Sequence, residues 1–179
     1  MRRRVYTLLF CLTLSLCCYF YIPILIRSFS EYEPAPTPKI ENGAYTGRII
    51  DPLPEDRQQD KNSCGHAALA FLLNYYGIET NEKTIVHATG KEGNLTFYEM
   101  AEYIKSINLK YKAYEVNAEL FYKHGEPCIM HVSWGHFIVF LSFIKPGYCL
   151  LFDPSRGLVL IDRQTLKAIW DGYVLYVYS

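Results

Sequence analysis

The spacing of apolar residues divides the chain into four stretches. From Val5 to Ile26 no charged residue interrupts the run, which is longer than the roughly 20 residues a bilayer-spanning helix needs. From Glu31 to Asp56 apolar residues thin out and most of the nine prolines gather, as in EYEPAPTPK and DPLPED. That is the composition of an extended linker. Periodicity then turns helical. AALAFLLNYY, Ala67 to Tyr76, is apolar nearly all the way round, so the predicted helix from Cys64 to Tyr76 is a buried central one. Asn62 or Ser63 stands where a cap is needed and Gly77 where the helix must close. NEKTIVHATG predicts a shorter helix capped by Asn81 and stopped at Gly90. TFYEMAEYIKSI begins a third, with Thr96 and Glu99 at capping-box spacing and one apolar face formed by Phe97, Met100, Ala101, Ile104 and Ile107. Beyond Asn108 the runs shorten: LKYKAYEV, PCIMHV, HFIVFLSF, YCLLFD, LVLID and YVLYVY, with WG, KPG and DPSRG in the turns. A short helix from Thr165 to Trp170 precedes the last run. Helices first and an antiparallel sheet afterwards make an α+β arrangement.

Charge gives the first stretch a direction. Arg2, Arg3 and Arg4 precede it and Glu31 and Glu33 follow it, which puts the N-terminus inside and the remainder outside. Length favours an uncleaved anchor over a signal peptide, although Ser28 to Ser30 offer small residues for cleavage. The expected organisation is a membrane anchor or signal sequence over 1–27, a proline-rich linker over 28–47, and a folded domain over 48–179. The domain is expected outside the cytoplasm, tethered at the periplasmic face or exterior, or else secreted after cleavage. With 18 basic and 18 acidic residues the net charge is zero. No basic cluster exists beyond Arg2 to Arg4, so a nucleic-acid partner is not expected. The exported part holds Cys64, Cys128 and Cys149, an odd set that leaves at least one thiol without a partner in the chain.

Cys64 is the thiol with chemical promise. At the start of a helix, free N–H groups and the helix dipole favour an anion, and the same N–H groups can hold an oxyanion. Packing at the helix start is the plain alternative. A cysteine nucleophile needs a base and a group to orient that base. His66, His87, His124, His131 and His136 are available, and His136 opens the run HFIVFLSF while Asp153 ends YCLLFD. A hairpin turn at Ile144 to Gly147 would place His136 one diagonal step from Asp153 on the same sheet face. A slip of one residue would put them on opposite faces.

Taken together, these pieces resemble the bacteriocin-processing peptidases, the double-glycine leader peptidases of the papain-like cysteine protease clan. The matching residues run from Asp51 to Tyr178: Gln58 six residues ahead of Cys64, SCG followed by AAL, then NYYGI, GHFIVF, FDPSRG and WDG, in the family's order. The resemblance implies a papain-like fold in which the central helix starts at the nucleophile and packs on an antiparallel sheet. It implies Cys64 as nucleophile, His136 as general base, Asp153 as the residue orienting the imidazole, and Gln58 in the oxyanion hole beside the Cys64 N–H. It implies no cofactor and no metal. The substrate implied is a small exported peptide or protein, cut after small residues such as glycine, and a secretion-system component is the partner to expect. Ser63 replaces the acidic residue usual before the cysteine in transporter-linked members, and His66 replaces a small residue. No ATPase domain follows in this sequence, so the chain is more similar to the free-standing exported members.

Other readings of the same residues are bounded. Cys64, His66, His131 and His136 could together bind a metal, but they lack the close ligand pairs of a structural zinc site. His66 is expected on the helix surface, His131 in a strand beside the site, and His87 and His124 exposed. Cys128 and Cys149 fall on the two neighbours of the HFIVFLSF strand, so they are expected as buried thiols rather than a disulfide. Ser133 and Ser155 read as turn residues. An idle peptide-binding module, or acyl transfer or deamidation by the same four residues, are the functional alternatives.

Overall fold

In a computed structural model of the chain, residues 48–51, 58, 62–145 and 147–178 are described. The expected anchor over 1–27 and linker over 28–47 lie outside them. Among the described residues no helix is long and apolar enough to cross a membrane.

The helical half begins with α1, Cys64–Tyr75, buried from Cys64 through Ala70 and again at Leu72 and Leu73. Its all-round apolar sequence leaves no face that gains from water, so it lies at the centre. Ser63 holds the N-cap position, yet its side chain makes no capping hydrogen bond. At the other end Gly77 adopts a left-handed φ of 79° and the Ile78 N–H returns to the Leu73 carbonyl. Helix α2, Glu82–Thr89, is capped by Asn81 and stopped by left-handed Gly90. Helix α3, Phe97–Ser106, carries the complete Thr96–Glu99 capping box.

Seven strands form one antiparallel sheet: β1 (Arg48–Asp51), β2 (Lys110–Glu115), β3 (Cys128–Val132), β4 (His136–Lys145), β5 (Tyr148–Asp153), β6 (Gly157–Asp162) and β7 (Trp170–Tyr178). Their order is β1-β6-β5-β4-β3-β7-β2. One face, with Ile129, Phe137, Val139, Leu141, Phe152, Leu175 and Val177, packs with α1 and α3. The opposite face, with Met130, Ile138, Phe140, Leu151 and Val159, packs with residues of two short helices, α4 (Ala118–His124) and α5 (Arg163–Ile169). Helices thus cover both faces of the sheet. The sequence reading passed over α4 and β1. Helix α4 is only two turns long and takes its start from Asn117, whose side chain accepts from the Leu120 N–H. Helix α5 begins at Arg163 rather than Thr165, because Asp162 caps it by accepting from the Thr165 N–H.

Register near the site is the one expected, with Val139 opposite Phe152 and Phe140 opposite Leu151. The turn is not. Two irregularities, between Phe140 and Ser142 and between Phe143 and Lys145, bring Lys145 opposite Tyr148, so the strands run closer to the turn than the IKPG reading allowed. Bulges of this kind change the turn without changing which residues meet at the far end.

Gly65 sets how closely α1 approaches its neighbours. An added Cβ would stand 2.8 Å from Met100 Cε and 3.0 Å from Leu95 Cβ, and Leu95 Cβ is fixed to the backbone. Gly65→Ala is expected to destabilise the domain by about 1–3 kcal/mol through overpacking. Urea denaturation checks this, with Gly93→Ala as control, since its Cβ would meet nothing within 4 Å.

Candidate active site

Two tight hairpins bring the expected residues together. The β3–β4 turn over Ser133, Trp134 and Gly135 closes with the Gly135 N–H on the Val132 carbonyl at 3.0 Å. Gly135 sits at φ 78°, where a side chain would be strained. The Ser133 N–H and hydroxyl both donate to the Ile169 carbonyl, at 2.9 and 2.8 Å, which ties the turn to the end of α5. His136 leaves this turn at the first position of β4. Asp153 ends β5 opposite Gly157 of β6, and the Arg156 N–H closes that turn on the Asp153 carbonyl at 2.9 Å.

His136 Nε2 donates to Asp153 Oδ1 at 3.0 Å. Asp153 is 2% exposed and His136 15%, so water does little to weaken the pair. With Nε2 committed to the carboxylate, Nδ1 is the ring nitrogen left for the Cys64 thiol, with which His136 is hydrogen-bonded. Burial alone would push Cys64 up. The imidazole hydrogen bond and its charge outweigh burial, with smaller help from the Phe137 and Gly65 backbone N–H groups, and hold the thiol below its ordinary range. Burial likewise opposes a charged His136, but the bonds to Asp153 and Cys64 and the charges on both raise it to about 9. The arrangement favours a thiolate beside an imidazolium.

Gln58 joins the same corner of the molecule through its backbone: its N–H donates to the Pro154 carbonyl at 3.1 Å, one residue past Asp153. The expected nucleophile, base and orienting residue are thus in contact, and the expected oxyanion glutamine is anchored beside the orienting residue. Ser155, read from sequence as a turn residue only, donates to Asp153 Oδ1 from both its N–H, at 2.9 Å, and its hydroxyl, at 2.7 Å. The Asp-x-Ser spacing of an Asx turn was the signal for it.

His66 departs from expectation. It is fully buried, not on a helix surface, and neither ring nitrogen has a hydrogen-bond partner. Burial lowers its imidazole below the ordinary value, against a smaller pull from the Lys91 backbone and the Glu82 and Glu99 carboxylates. His131 pairs with Asp171 through Nδ1 and stacks edge-on against Phe137. His87 and His124 are exposed. Among the described residues no group of three or more His, Cys, Asp or Glu could hold a metal ion. Cys128 and Cys149 are free and buried, and burial raises both thiols, Cys149 to about 12. That leaves Cys64 as the activated thiol among the described residues.

A helix that starts at a thiol, laid across an antiparallel sheet that presents a His–Asp pair, is the arrangement of a papain-like cysteine peptidase. The chain belongs to the Peptidase C39 family, which matches residues 54–179, and it is a cysteine peptidase of that family. A double glycine motif protease from an AMS/PCAT transporter, solved in complex with its leader peptide, is 25% identical with a TM-score of 0.63, and the match covers 80% of this chain and 99% of that one. The peptidase domain of Streptococcus ComA shares the fold at a TM-score of 0.62 and 19% identity, covering 68% of this chain and 95% of that one. In sequence the chain is 25% identical over 131 residues to the colicin V secretion/processing ATP-binding protein CvaB of Escherichia coli, covering 70% of this chain. It spans 18% of that relative's length.

Two titrations check the electrostatics. Iodoacetamide should label Cys64 well below the pH of an ordinary thiol, about 8.5, and His136→Ala should move the labelling curve back up to it. Stability carries the opposite signs of two histidines. His136 is raised in the folded state, so its contribution is complete below about pH 6.5 and is lost as pH rises through about 9. His66 is lowered, so its penalty appears as pH falls below about 6.5. Denaturation of His66→Leu against pH should therefore show a flatter acid limb than the parent.

Proposed function

We propose that the chain is an endopeptidase in which Cys64, His136, Asp153 and Gln58 carry the reaction. The observation that carries the reading is the unbroken contact from the Cys64 thiol through the His136 imidazole to the Asp153 carboxylate. The thiolate attacks the scissile carbonyl carbon, and the negative charge moves to the carbonyl oxygen. The Cys64 backbone N–H and the Gln58 side-chain amide hold that oxyanion. His136 gives its proton to the leaving amine as the C–N bond breaks, leaving a thioester. Water then attacks the thioester, losing its proton to His136, and the thiol returns as the acid product departs. Asp153 keeps the imidazole in one tautomer and orientation throughout.

The substrate in this reading is a small exported peptide or protein with a small residue such as glycine before the cut bond. The leader-peptide complex of the double glycine motif protease supports that class. The folded domain spans 48–179 and works outside the cytoplasm, held by an N-terminal anchor over 1–27 and a linker over 28–47, alongside a secretion-system partner.

The test is cleavage of a synthetic leader peptide ending in Gly-Gly, followed by mass spectrometry. The parent should cut after the second glycine. Cys64→Ala should abolish cutting, and Gln58→Ala should lower kcat about 100- to 1000-fold. Acid formed without an added nucleophile measures hydrolysis, and hydroxylamine traps the thioester as the hydroxamate, reporting the acyl-enzyme whichever acceptor resolves it. A parent that leaves the peptide intact and forms no hydroxamate sinks the substrate class.

A further inference from the structure

Asp153 receives more than an orienting carboxylate needs from a histidine. Its Oδ1 takes His136 Nε2 at 3.0 Å, the Ser155 N–H at 2.9 Å and the Ser155 hydroxyl at 2.7 Å. A carboxylate removed from water must replace its hydration with protein donors, and Asp153 is all but inaccessible. The N–H bond alone would suffice for an ordinary Asx turn. The hydroxyl is the additional restraint, and its bond is the shortest of the three.

The need for it lies in the torsion. The carboxylate of an aspartate turns about a broad, soft χ2 rather than a sharp staggered well. One N–H bond leaves that rotation partly free, whereas two donors from one residue on the same oxygen restrict it. The same turn also holds the Gln58 backbone through the Pro154 carbonyl, so its geometry bears on both halves of the site.

We infer that Ser155 is a positioning residue: its hydroxyl and N–H pin Asp153 Oδ1 where His136 Nε2 meets it, and so keep Nδ1 aimed at Cys64. The inference rests on the reading of Cys64, His136 and Asp153 as the reacting set. Ser155 is itself exposed, so its side chain can be changed without opening a core.

The experiment uses the full-length chain and measures iodoacetamide labelling of the Cys64 peptide against pH by mass spectrometry. The variants are Ser155→Ala and the equal-sized pair Ser155→Thr and Ser155→Val, each checked for an unchanged melting temperature. Loss of one hydrogen bond to a charged group should slow Cys64 labelling at neutral pH about tenfold in Ser155→Ala and Ser155→Val, and move their curves toward an ordinary thiol. Ser155→Thr keeps the hydroxyl and should restore the parent curve. If Ala lowers stability, the Thr–Val comparison still decides the matter, since the two differ only in the hydroxyl. A reactive parent whose curve is the same in Val and Ala overturns this inference alone. A parent that titrates as an ordinary thiol overturns the reacting set, and the role of Ser155 with it.

Discussion

The register of β4 against β5 decides whether the imidazole and the carboxylate at the open end of their hairpin can meet. In a sheet with a side-chain period of two, moving one strand by one residue would carry Asp153 to the wrong face. Two things hold the register. Val139 and Phe152 fill the core on the α1 side while Phe140 and Leu151 fill the core on the opposite face, so a slip would exchange side chains between two differently shaped cores. Phe152 also stacks on Phe71 of α1, with ring centroids 3.8 Å apart. The helix that presents the thiol is therefore locked to the strand that presents the carboxylate.

Burial and pairing pull against each other at this site, and pairing wins by number of contacts. A thiol and an imidazole set into a half-buried corner would each be driven neutral by desolvation. Each instead stabilises the charged form of the other, while Asp153 stabilises the imidazolium from the far side. His66, two residues along the same helix, shows the opposite balance. It is fully buried, but its carboxylates, Glu82 and Glu99, act from a distance and the Lys91 backbone exerts only a smaller pull against burial. It is held neutral while His136 is held charged. The difference between the two histidines is a carboxylate hydrogen-bonded directly to the ring of His136.

Much of this was legible because the decisive signals are local. The all-round apolar sequence after Cys64 reads as a central helix whatever it packs against, and the Thr96–Glu99 box needs only its own four residues. His136 and Asp153 could be paired from the sequence because an assumed hairpin turn at Ile144 to Gly147 gave the register that holds at the far end, although the turn itself differs. What escaped depends on distant contacts. The burial of His66 follows from α2 and α3 folding over α1, which no window around residue 66 reports. Helix α4 has too few residues for a period to show, and the bulges in β4 changed the turn while leaving the active end of the hairpin intact. Family resemblance supplied Gln58, which no periodicity could single out.

The uncapped start of α1 follows from the same economy of donors. Thr96, Asn81, Asn117 and Asp162 each cap their helices with a side chain, so this fold does not lack capping residues. Among the described helices, α1 differs in that the Ser63 side chain at its N-cap makes no capping hydrogen bond. A cap there would contribute roughly 1 kcal/mol of stability and would compete for donors that an oxyanion or thiolate needs. The Gly65 N–H already serves Cys64. Leaving that N–H to the thiol forgoes the stability of a cap, and Gly65 offsets part of the loss by letting α1 dock closely against Leu95 and Met100. The SCG sequence can thus be understood physically: a serine whose side chain does not cap the helix, a thiol served by the Gly65 N–H, and a glycine that lets both approach the core.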